Sequence, residues 1–137
     1  MIKYLLASHG AFSEGTLSFL NIMIGKKNNI YTLAAFIDEH CLSDLVDQKI
    51  KEIGTYEQLF IFCDLHGGSV EQELFRKTVS LPNVKIISGY NIPLLLDIMI
   101  KDQVMTDEEI ERSIHEANRA MVLLKRQNMT SSEDSIF

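Results

Sequence analysis

At 137 residues the chain is long enough for one domain with a real hydrophobic core. Its 46% apolar and 23% charged residues suit an ordinary globular protein, and a net charge of -6 argues against nucleic acid or an anionic membrane surface as its main partner. No apolar run nears the roughly 20 residues of a membrane span, Met1-Ile2-Lys3 opens no signal peptide, and Cys41 and Cys63 form no CxxC pair, so a cytoplasmic protein with reduced thiols is expected.

Taken in order, residues 4–8 read as a strand that stops at His9, followed by Gly10 and a helix capped by Ser13. That helix places Leu17, Leu20 and Met23 or Ile24 on one face and ends at Gly25 before Lys26-Lys27. A second strand over 30–37 runs into Asp38-Glu39-His40, and a helix from about Ser43 turns Leu45 or Val46, Ile50 and Ile53 inward. Residues 59–63 form a third strand, cut off by Asp64. Ser69 then caps a helix whose inward residues are Leu74, Phe75 and Val79. After Leu81-Pro82-Asn83 comes a fourth strand over 84–87. The loop at 88–93 leads into a helix with Pro93 in its first turn, where a missing N–H does no harm.

Thr106-Asp107-Glu108-Glu109 is a capping box, and the helix it opens repeats Ile110, Ile114, Ala117, Met121 and Leu124. Residues 120–124 are also nearly continuous apolar, so they read equally as a strand. Residues 1–127 form the domain, and the polar stretch 128–137 is expected to fray.

Strand and helix alternating four times predict an α/β fold: a doubly wound, mainly parallel four-stranded sheet, order 2-1-3-4, with helices on both faces. Such sheets bind ligands at the carboxyl ends of the strands where the order reverses. That point lies between the first and third strands, whose ends carry His9 and Asp64.

A neutral imidazole has one nucleophilic nitrogen, and a carboxylate on the other ring N–H decides which one. His9 and Asp64 are therefore the candidate catalytic pair for a phosphohistidine. The amides of Gly10, Gly67, Gly68 and Ser69, at two helix starts, are the candidate phosphate cradle, with the Ser69 hydroxyl as a further donor. A lone strand-end histidine is most often a polar loop residue, and an aspartate before a helix a turn or cap residue. Their coincidence at the reversal point outweighs those readings. Asp38, His40, Cys41 and His66 lack zinc-ligand spacing, so no metal and no cofactor are expected. His115 falls on the solvated side of the last helix, and Met99, Met105 and Met121 read as core filling.

Ser8-His9-Gly10, Asp64-Leu65-His66-Gly67-Gly68-Ser69 and Gly89-Tyr90-Asn91-Ile92-Pro93-Leu94 together resemble the enzyme IIA component of the mannose family of the bacterial phosphoenolpyruvate-dependent sugar phosphotransferase system (PTS). The resemblance runs from Met1 to about Lys125. It implies a phosphotransferase in which His9 accepts a phosphoryl group from HPr and passes it to a IIB partner, with the membrane IIC and IID components served indirectly. It implies Asp64 as the orienting carboxylate, Ser69 with Gly67-Gly68 at the phosphate, and Asn91 on the rim, where His66 also lies. It further implies a homodimer that exchanges a C-terminal antiparallel strand, a role open to residues 120–124.

The chain departs from the family pattern at Leu65 and His66, where relatives often carry threonine and an aromatic, and at Val70, often proline. Other readings are the phosphocarrier subunit of dihydroxyacetone kinase, a phosphohistidine-forming phosphatase, a flavin binder and a non-catalytic interaction domain. The Gly67-Gly68-Ser69 and Asn91-Ile92-Pro93 motifs favour the transporter component over the first. Against the phosphatase, Ser8 stands where its Arg-His-Gly motif needs arginine.

Overall fold

Successive residues of a strand point to opposite faces of a sheet, and β1 (Ile2–His9) is apolar on both. In the computed structural model, which describes residues 1–129, Tyr4 and Leu6 face one layer of helices while Leu5 and Ala7 face the other. β3 (Gln58–Cys63) repeats the pattern: Phe60 and Phe62 join Tyr4 and Leu6, and Leu59, Ile61 and Cys63 join Leu5 and Ala7. Completely burying side chains of this size contributes roughly 1.5–3 kcal/mol each. These two central strands therefore anchor both halves of the core.

The outer strands are β2 (Ile30–Ala35) and β4 (Val84–Ser88), and all pairings are parallel in the order β2-β1-β3-β4. This is the expected topology. One face is covered by α1 (Phe12–Met23), α4 (Ile92–Lys101) and α5 (Asp107–Asn118), the other by α2 (Leu42–Ile53) and α3 (Ser69–Thr78). A four-residue turn of helix, α6 (Arg126–Met129), closes the described chain. Beyond those two last helical residues, the polar tail expected over 128–137 lies outside the described residues.

Polar side chains fasten the ends of the sheet. Gln58 is buried and exchanges hydrogen bonds with the backbone of Met105, donating to its carbonyl at 2.9 Å and accepting its N–H at 2.8 Å. The Tyr4 hydroxyl donates to Asp102 Oδ1 at 2.6 Å, and burial pushes its acidity far below that of a free phenol. Both contacts tie the α4–α5 connection to strands distant in sequence. At the start of α5 the capping box forms as expected: Glu109 N–H reaches Thr106 Oγ1 at 3.2 Å and Glu109 Oε1 accepts Thr106 N–H at 3.0 Å.

Several expected boundaries move. α1 begins at Phe12 with Ala11 at its cap position; Ser13 lies inside the helix, its N–H on Ser8 Oγ at 2.8 Å and its hydroxyl donated to the Leu33 carbonyl. Ser69 is the first residue of α3 and Gly68 occupies its cap position. β2 stops at Ala35, two residues short of the expected end, because Phe36 turns the chain with φ +65°. α3 buries Val70, Leu74 and Thr78, a strict four-residue stripe, so Phe75 and Val79 fall one step around the helix and are exposed. α5 stops at Asn118 in a tightened turn, with the N–H groups of Arg119 and Ala120 on carbonyls three residues back. Residues 121–125 are therefore not helical, and Met121 is exposed rather than core filling. No helix among the described residues is long and apolar enough to cross a membrane.

Candidate functional site

The reversal of strand order between β1 and β3 leaves a crevice at their carboxyl ends, and His9, the last residue of β1, stands in it. Asp64 follows β3 directly and extends its ladder, with its N–H on the Ala7 carbonyl at 3.2 Å. Asp64 Oδ2 then accepts the His9 backbone N–H at 2.8 Å and lies 3.0 Å from His9 Nδ1. Two segments 55 residues apart thus meet through one oxygen. The other, Oδ1, is buried with no hydrogen-bond partner among the described residues. An orphaned buried carboxylate oxygen is costly, and such groups concentrate where chemistry needs them.

With Nδ1 held, Nε2 of His9 turns toward the start of α3, 3.5 Å from Ser69 Oγ, the outer limit of a hydrogen bond. No side chain caps α3, whereas at the start of α1 the Ser8 hydroxyl accepts Ser13 N–H. The amides of Gly68 and Ser69, at the positive end of α3, therefore remain open to an anion. Gly68 keeps the approach to the ring free of a tight contact: a Cβ there would lie 3.3 Å from His9 Cε1.

The other two glycines of the expected cradle are differently engaged. Gly10 N–H donates to the Ala35 carbonyl at 2.7 Å, and Gly67 N–H donates to Glu71 Oε1 at 2.9 Å. Their amides serve the scaffold, while their positive φ values make the turns into α1 and α3. Ser8, buried beside His9, braces the first of these turns by donating to the Gly10 carbonyl at 2.9 Å.

Sequence reasoning missed Glu71, which organises the second turn. Besides Gly67 N–H, its carboxylate accepts the Ser88 hydroxyl and meets His66 Nδ1 at 2.8 Å. The Ser88 hydroxyl and the His66 contact hold its carboxyl down to about 2, and the same carboxylate raises the His66 imidazole above its ordinary value. The available signal was the four-residue spacing from Gly67 to Glu71 across a helix start. His66 itself is exposed beside the crevice. Asn91 is half-buried and its carboxamide is occupied twice: Oδ1 caps α4 by accepting Leu94 N–H at 3.0 Å, and Nδ2 donates to the Ala117 carbonyl at 2.8 Å. Cys63, one residue before Asp64, is buried and its thiol is pushed up to about 12, chiefly by desolvation, so it is no nucleophile.

Phe36 was also unforeseen. Its ring centroid lies 5.5 Å from that of His9, tilted by 33°. Phe36 is exposed, as are Phe12 and Leu65.

A family model described as PTS system fructose IIA component, EIIA-man, matches residues 3–123. Among solved structures, the chain resembles one described as a phosphoenolpyruvate-dependent sugar phosphotransferase system permease from Klebsiella pneumoniae, with 28% identity, a TM-score of 0.81, and 92% of this chain and 93% of that one covered. At 24% identity and a TM-score of 0.77 it resembles the PTS IIA protein associated with the fucose utilization operon of Streptococcus pneumoniae, over 92% of this chain and 95% of that one. The mannose/sorbose-specific IIA subunit of Enterococcus faecalis shares 19% identity at a TM-score of 0.73, over 90% and 94% of the two chains. These last two likenesses speak to the fold alone. No curated protein matches the sequence.

Proposed function

This chain belongs to the EIIA-man family of PTS IIA components, and from that premise we propose that it is a cytoplasmic phosphocarrier that takes a phosphoryl group from HPr onto His9 Nε2 and delivers it to a IIB component. The observation that carries the assignment is the contact of Asp64 Oδ2 with His9 Nδ1 at 3.0 Å, which leaves Nε2 facing the uncapped start of α3.

The step is a displacement at phosphorus. The Nε2 lone pair of a neutral ring, protonated on Nδ1, forms the new N–P bond as the N–P bond to the donor imidazole breaks. The donor leaves as a neutral ring, and His9 becomes a positively charged phosphoimidazole. Asp64 keeps the Nδ1 proton and stabilises that charge. The Gly68 and Ser69 amides and the Ser69 hydroxyl are suited to the phosphoryl oxygens, whose charge spreads during transfer. Transfer to IIB reverses the same steps.

A homodimer accompanies this reading. β4 is an edge strand, and beside it runs a groove of about 560 Å³ lined by Phe75, Val79, Val84 and Ile86. Residues 121–125, which take no regular secondary structure, include exposed Met121, Val122 and Leu124. An open edge and an apolar segment without regular structure in one chain favour exchange of that segment, as an antiparallel strand, between two copies.

Incubation with phosphoenolpyruvate, enzyme I and HPr tests the carrier role. One acid-labile, base-stable phosphate per chain is expected, and none in His9→Ala. Labelling of another residue, or transfer from a small phosphodonor but not from HPr, would overturn it.

A further inference from the structure

We propose that Phe36 is a positioning residue that holds the His9 ring in its transfer geometry, an inference that rests on the phosphocarrier reading. Phe36 follows β2 directly. The preceding residue, Ala35, pairs in register with His9, and its carbonyl holds Gly10 N–H at 2.7 Å. Position 36 is therefore set by the same ladder that sets His9.

Neither backbone preference nor core packing accounts for phenylalanine there. Its φ of +65° lies in the left-handed region, which glycine adopts freely and a bulky side chain does not. The residue is 56% exposed, so burial compensates little of that strain. What the strained backbone does achieve is to lay an aromatic ring against the imidazole, with centroids 5.5 Å apart. Strain of this kind gathers at functional sites.

Asp64 alone does not fix the imidazole, because a single contact at Nδ1 leaves the ring free to rock about that contact. Gly68 closes on the Cε1 edge, and Phe36 lies against the ring from the β2 side. Three restraints, from the ends of β2 and β3 and from the start of α3, together direct Nε2 at Ser69. An aromatic neighbour within about 6 Å also favours the positive charge that the ring acquires with the phosphoryl group.

The test compares Phe36→Gly, Phe36→Leu and Phe36→Tyr. Phe36→Gly should fold with a Tm no lower than wild type, since glycine suits the backbone. Its His9 ring should show lost ring-current shifts and faster side-chain relaxation by NMR. Its maximal rate of phosphoryl transfer from HPr should fall about ten- to a hundredfold, the scale of a misplaced reacting group, with little change in KM for HPr. Phe36→Tyr should retain the wild-type rate, and Phe36→Leu should fall between the two.

An unchanged maximal rate and ring mobility in Phe36→Gly would overturn the proposal. So would a loss confined to KM, which would make Phe36 a docking contact. Should wild-type protein take no phosphate at all, the carrier reading fails, while relaxation of the unphosphorylated His9 ring still decides what Phe36 does.

Discussion

One oxygen of Asp64 holds His9 by backbone and ring at once, accepting its N–H at 2.8 Å and meeting Nδ1 at 3.0 Å. The strand end and the Nδ1 contact of the ring are thus set by one side chain. Asp64→Asn should slow phosphoryl uptake from phosphorylated HPr by about 10- to 100-fold, the usual cost of losing a partner that orients a histidine. Rapid-quench labelling measures this; wild-type kinetics in the variant would reject the orienting role.

Ser69 stands at the first position of α3 and does not cap it. Ser69→Ala should therefore leave stability within about 0.5 kcal/mol of wild type. It removes a hydroxyl 3.5 Å from His9 Nε2. Transfer should slow by about tenfold, the scale of one hydrogen bond to a charged group. A large drop in Tm with unchanged transfer would show the hydroxyl to be structural.

The His66–Glu71 pair has a defined pH window. Glu71 raises the His66 imidazole, so that contribution to stability is complete below the ordinary histidine value and fades as pH rises through the raised one. Glu71 is held down to about 2, so its contribution is present above the ordinary carboxylate value and lost as pH falls toward 2. NMR titration should give His66 a midpoint above 6.5, and Glu71→Gln should bring it back toward that value. An unmoved midpoint would mean that the 2.8 Å contact does not hold in solution.

Truncation after Ala120 removes the apolar segment proposed to pair with β4 of a second copy. Light scattering should find a dimer for the full chain and a monomer for the truncated one. A monomeric full chain at micromolar concentration would rule the exchange out.

Thr106→Ala removes one arm of the capping box of α5, the hydroxyl that accepts Glu109 N–H, and leaves the Thr106 N–H on Glu109 Oε1. A loss of about 1 kcal/mol is expected in denaturant unfolding, with phosphoryl transfer unaffected because Thr106 follows Met105, which pairs with Gln58 at the amino end of β3, opposite the crevice.

Much of the crevice was legible because its signals are local. Apolar runs that end abruptly at His9 and Asp64, each followed by glycine, announce strand ends whatever the rest of the chain does. Helix-face errors arose where a stripe is ambiguous by one residue: Leu74 and Phe75 are equally apolar, and only contact with the sheet made one buried and the other exposed. Phe36 gave no warning, since nothing in its neighbours marks a phenylalanine that will turn left-handed.

By itself the sequence determined the order of the elements, the sheet topology and the two residues that end the central strands, because periodicity and turn chemistry act over a few residues. Tertiary structure alone decided that the Gly10 amide is taken by the Ala35 carbonyl of β2, and that Gly68 comes up against the His9 ring. The physical reason is that a buried or constrained N–H takes whichever acceptor the fold brings within about 3 Å, and that acceptor is chosen by packing between elements.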